Sequence, residues 1–156
     1  MTEIWSALQA SDLAVWINYS RWAYAAVATV HVLAIGALIG SILTLDLRLM
    51  GVGRWLDPHQ LARFVVPVAG TAFCFAIVSG VVLFIGRAGE YAAFGTFRIK
   101  IALIVVAVAM IAASHVRYGM RLERASDRQR FHLGLASILL WLGVAVSGRM
   151  IAFVHG

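Results

Sequence analysis

Four stretches of this chain carry no charged residue at all: 22–45, 64–86, 101–116 and 131–148, which are 24, 23, 16 and 18 residues long. A bilayer core is crossed by about 20 apolar residues rising ~1.5 Å each. Four spanning helices therefore fit into 156 residues. The third stretch reaches full length once Arg98 and Lys100 sit just inside an interface with their stems among the acyl chains, as long basic side chains can. Spanning strands would alternate in polarity over about ten residues, and these runs do not. Composition agrees: 62% of residues are hydrophobic and 13% charged, against roughly 45–50% and 25% in soluble domains. The expected fold is all-α, an integral membrane four-helix bundle forming one domain over residues 1–156, with spans near 22–49, 61–86, 97–118 and 129–153.

The first twenty residues are too polar to span, and they lack the basic start and small-residue cleavage site of a signal peptide. Thr2 and Ser11 can cap short helices whose apolar faces hold Ile4, Trp5, Leu8, Leu13, Trp16 and Ile17, so an N-terminal interfacial helix is expected. Gly51 and Gly53 end the first span. Asp57 before Pro58 has the form of an N-cap with proline at the first helical position, and Pro67 should kink the second span. The stretch from Arg87 to Gly95 reads as a short polar connection, and Thr96 as the cap of the third span. Ser126 and Gln129 have capping-box spacing for the fourth. Because the connections are short, consecutive spans should be antiparallel neighbours.

The 13 Lys and Arg against 7 Asp and Glu would suggest nucleic acid in a soluble protein. Here they report topology instead, and no nucleic-acid partner is expected. The end bearing the first and third connections between spans holds eight basic residues, and the other end four, or five with Arg149. The excess marks the cytoplasmic side. The expected location is a bacterial inner membrane, multi-pass, with both termini periplasmic. The single cysteine, Cys74, falls within the second span and can form no internal disulfide.

Ionisable groups within spans are costly and are candidate functional residues. Span midpoints put His31 slightly outward of the membrane centre and His115 inward of it, with ~15 Å between them in depth. Intramembrane histidines commonly ligate b-type haem. One haem between His31 and His115 would need a strongly tilted helix, since axial ligands should agree in depth within ~11 Å; two haems, one in each leaflet, would use His115 and His132, both in the inner half, and leave His31 with an unidentified partner, Met110 being nearest it in depth. Lys100 and Arg149 lie at nearly equal depth in the outer half, with Arg98 near. Few carboxylates are available there, so an anion is implied: haem propionates, a quinone oxygen or lipid phosphates. Lys100, Ile104, Ala107, Ile111 and His115 share one helix face. Asp46 should pair with Arg63 or Arg117. Gly36 and Gly40 have the spacing of a close helix contact and suggest a homo-oligomer.

The run HVLAIGALIGSILTLDLRLMG from His31, the FRIK of Phe97 to Lys100, and WLGVAVSGRMIAF from Trp141 resemble a bacterial family of small four-helix inner-membrane proteins. The order of histidine in the first span, proline in the second, then lysine and later histidine in the third resembles the copper-resistance-D-like domain and the haem-binding protoporphyrinogen oxidase of the HemJ type. This resemblance implies b-type haem, with His31 and Lys100 at the matching positions and His115 at the later histidine. The site expected is His31, His115, His132, Lys100 and Arg149, with His31 and His115 toward the iron. The function expected is electron transfer between haem b and a quinone or periplasmic partner, which would make the chain a possible membrane oxidoreductase embedded in lipid. The alternatives are a non-enzymatic transport or metal-handling component built on His31 and the cationic cluster, and a structural membrane subunit.

Overall fold

The computed structural model describes residues 2–119 and 122–154. Seven helices run in order: α1 (Thr2–Gln9), α2 (Asp12–Tyr19), α3 (Arg21–Leu49), α4 (Pro58–Gly86), α5 (Ala88–Ala93), α6 (Gly95–Tyr118) and α7 (Asp127–Val154). Of these, α3, α4, α6 and α7 are long and apolar enough to cross a membrane, and the chain is a multi-pass helical membrane protein. In their apolar windows between 6% and 28% of residues are buried within the chain. Val32, Leu33, Phe64, Val78 and Val105 are each more than 60% exposed. Such side chains have a favourable solvent only in lipid.

Local signals explain most helix ends. Ser11 accepts a hydrogen bond from the Ala14 N–H and caps α2. Asp57 accepts from the His59 N–H ahead of Pro58 and starts α4. At the start of α7 the Ser126 N–H donates to Gln129 while the Ser126 hydroxyl accepts from the Gln129 N–H, a complete capping box. Gly51 and Gly119, with φ of +94° and +88°, turn the chain after α3 and α6 where a side chain would be strained. Helix α4 runs unbroken through Pro67.

The α3 cap is Ser20, whose side chain accepts from the Ala23 N–H. Three expectations change. The cap of α6 is Phe94, without a side-chain bond, so Thr96 lies inside the helix. Thr2 is likewise inside α1. The polar connection after α4 holds a helix, α5, whose Tyr91 ring stacks with Phe84 and Phe97 at centroid distances of 6.4 and 6.1 Å.

The consequence for packing is larger. Helix α3 packs against α4 and α7, and α6 against α7. Among the described residues no Cα of α4 lies within 8 Å of a Cα of α6. These consecutive spans were expected to be neighbours, yet their backbones stay apart; their side chains meet in the core, and at one end Phe84 stacks on Phe97 at 5.1 Å. The bundle is an open arc, α4–α3–α7–α6, with a seam between its first and last members. Leu38, Ala72, Ala107, Trp141 and Val144 form its core. Two short helices occupy the N-terminal segment: Ile17 of α2 is buried against Gly86, and the Asn18 amide donates to the Gly86 carbonyl at 2.8 Å.

Candidate ligand cavity and the intramembrane polar residues

The end of the bundle with the α3–α4 and α6–α7 connections contains a cavity of about 410 Å³. All four spanning helices line it, including Asp46 from α3, Phe73 from α4, His115 from α6 and Trp141 from α7, while Leu122 closes its end. Leu122 has a φ of +54°, and its carbonyl is held by the Arg130 guanidinium at 3.0 and 3.3 Å. Leu122 is thus fastened beside the cavity it lines.

The lining is apolar except at a few points: Ser114 donates to the Met110 carbonyl at 2.7 Å, and three of the other polar groups have an unpaired atom. Among the described residues three buried side-chain polar atoms lack a hydrogen-bond partner: Asp46 Oδ2, His115 Nδ1 and Trp141 Nε1. All three residues line this cavity. Each such atom costs roughly 1–3 kcal/mol if nothing satisfies it. Together they offer a carboxylate acceptor, an imidazole nitrogen and an indole donor. The Asp46 carboxyl also faces the Ser137 hydroxyl of α7. Gly134 sets this approach, because a Cβ there would stand 2.8 Å from the Asp46 carbonyl oxygen. The expected partners Arg63 and Arg117 are both exposed, and Asp46 forms no ion pair among the described residues.

The other half of the bundle is arranged differently. His31 Nδ1 lies 2.9 Å from Ser79 Oγ, and the Ser79 hydroxyl in turn donates to the Phe75 carbonyl. The imidazole rests on Gly80, where an added Cβ would come within 2.9 Å of Cε1. Lys100 is half-buried, its side chain lying along Gly148 of α7. Ser147 is buried beside it. A second recess, about 520 Å³ between α3 and α4, is lined by Val30, Pro67, Phe75 and other side chains with no titratable group among them. It has the chemistry of a lipid-chain groove rather than of a reacting site.

The five residues singled out in the sequence thus separate. His115 faces the cavity. His31 is held by Ser79 and lines neither recess. His132 is exposed, edge-on to Phe131 at 5.8 Å. Lys100 turns inward, whereas Arg149 is exposed. A haem held by two histidines needs two imidazoles facing one roomy space from opposite sides. Only His115 faces such a space, and Met110, the other lining residue able to ligate iron, is on the same helix. The residues do not fit a two-histidine haem site.

Sequence reasoning passed over Trp141, Ser137 and Gly134 as site residues. Their spacings of 3 and 4 place them on one face of α7, a polar and small stripe that was legible in the sequence. Comparison with protein-family models, with curated proteins and with solved structures finds no match to this chain.

Proposed function

We propose that this chain is a ligand-binding component of a bacterial inner-membrane electron-transfer step, and that its ligand sits in the cavity at His115. The observation that carries this reading is that all three residues with an unpaired buried polar atom line one largely apolar space. An apolar molecule with a hydrogen-bonding head would satisfy them, and binding sites of this size are generally apolar with a few placed polar groups. The Arg-rich end of the bundle faces the cytoplasm and both termini the periplasm, on the excess of basic residues around the α3–α4 and α6–α7 connections.

A haem carried on His115 alone is the second reading, favoured by an imidazole that lines the cavity and has an unpaired Nδ1. Purified protein extracted with organic solvent separates the two: a quinone-class molecule supports the first, and a Soret band before extraction supports the second. Near-stoichiometric ligand should fall sharply in His115→Ala and in Trp141→Phe. Equal retention in both variants, or none in the wild type after ligand-replete expression, would overturn the reading. Self-association through the Gly36 and Gly40 face is a further part of it, since both glycines are exposed with no atom near enough to meet an added Cβ.

A further inference from the structure

Of the residues lining the cavity, three are exposed, and all three stand on the two helices whose backbones stay apart: Val66 and Gly70 of α4, and Val108 of α6. Val66 is 53% and Val108 42% exposed, and a Cβ built on Gly70 would find nothing within 4 Å. Side chains that both line a cavity and face outward mark its mouth. The mouth lies along the seam. At one end the seam is shut by the stacked rings of Phe84 and Phe97, and at the other Leu122, fastened by Arg130, closes the end of the cavity. The remaining opening is lateral, at the level of the acyl chains.

What enters sideways must be soluble in lipid, which excludes a polar solute. It must also satisfy Asp46 Oδ2 and Trp141 Nε1, which an acyl chain would leave unpaired at full cost. A ring with an oxygen at each end offers a partner to both groups: one hydroxyl donates to the Asp46 carboxylate and the opposite oxygen accepts from the Trp141 indole. The ionised form of Asp46 only accepts, so to that form the reduced ring with its hydroxyl protons is the better partner. We infer that the cavity is loaded through the α4–α6 seam by a tailed quinol, whose head lies between Asp46 and Trp141 and whose tail lies in the mouth formed by Val66, Gly70 and Val108. This rests on the proposed ligand-binding function and adds the ligand's class and its route.

The test uses the full chain in lipid nanodiscs, with a decyl-tailed benzoquinol and the tail-less parent benzoquinol, both kept reduced. Binding is read from quenching of tryptophan fluorescence and compared with that in Trp141→Phe. Gly70→Phe and Val108→Phe fill the mouth from its two sides. Each should weaken the tailed quinol about tenfold, or about 1.4 kcal/mol, and leave the tail-less one within about threefold. Asp46→Asn should weaken both ligands and reduce the preference for quinol over quinone. If the wild type binds neither, the ligand-binding function itself fails. If both bind and Trp141→Phe weakens both, while the mouth variants leave the tailed quinol unaffected or weaken both ligands equally, the site stands and the lateral route falls. Should one mouth variant not fold, the other decides. A photoreactive group at the end of the tail gives the same answer in the wild type: labelling of α4 and α6 supports the route, and labelling of α3 and α7 overturns it.

Discussion

His31 and His115 are both half-buried imidazoles in one membrane bundle, yet their surroundings differ in kind. His31 has Ser79 at 2.9 Å and glycine against its ring. The recess between α3 and α4 in that half has no titratable group in its lining, and His31 lies outside it. His115 has an unpaired Nδ1 and lines a cavity together with the two other residues that hold an unpaired buried polar atom. In a bilayer a polar group is satisfied by the protein or by something the protein binds. The first half shows the former solution, and the second leaves room for the latter. The difference goes with the helix arrangement: α3 packs closely on α4, whereas among the described residues no Cα of α4 lies within 8 Å of a Cα of α6.

The largest way to break this comparison is to separate α3 from α7. Gly134→Leu should destabilise by about 3 kcal/mol, at the upper part of the overpacking range, because even a Cβ would stand 2.8 Å from the Asp46 carbonyl. Equilibrium unfolding in mixed micelles measures it. Next in size, Ser79→Ala removes the Ser79 hydroxyl from His31 Nδ1, leaving the imidazole only the Ala76 backbone, and should cost about 1 kcal/mol. The mirror experiment sharpens the contrast: His115→Leu, in ligand-free protein, removes a polar atom that has no partner and should be neutral or stabilise by up to about 1 kcal/mol. Equal losses from Ser79→Ala and His115→Leu would erase the distinction between the halves.

The smallest effect lies at the aromatic plug outside the spans. Burial raises the Tyr91 hydroxyl above its ordinary 10.0, with Tyr24 and Glu90 adding to the shift and Arg87 opposing it. The folded state keeps this proton where the unfolded state has already lost it. Tyr91 therefore contributes full stability below pH 10, and that contribution drains away as pH rises from there through the folded value. Tyr91→Phe should flatten the alkaline fall in stability by a few tenths of a kcal/mol, a discounted figure for a half-exposed group, and remove one late-titrating phenol from the ultraviolet titration.

The spans, the Asp57–Pro58 start and the Ser126–Gln129 box were legible because they depend on local hydropathy and on side chains three residues apart. The open seam was not. Short connections suggest neighbouring helices, but whether Phe84, Tyr91 and Phe97 stack together depends on where three separate segments meet. Asp46 misled for a similar reason. Its charge suggested an arginine partner, whereas its position opposite Gly134 and Ser137 placed it inside the bundle. Of the site, His115 was visible as a residue; that its nitrogen is free and His31's is not follows only from packing.

The central claim is that the two imidazoles answer differently to a ligand. Histidine-selective nitrogen NMR of the protein in nanodiscs, with and without the tailed benzoquinol, tests it directly. The account predicts that the His115 ring nitrogens shift on addition of ligand while those of His31, held by Ser79, stay where they are. A shift at His31 with His115 unmoved would contradict it.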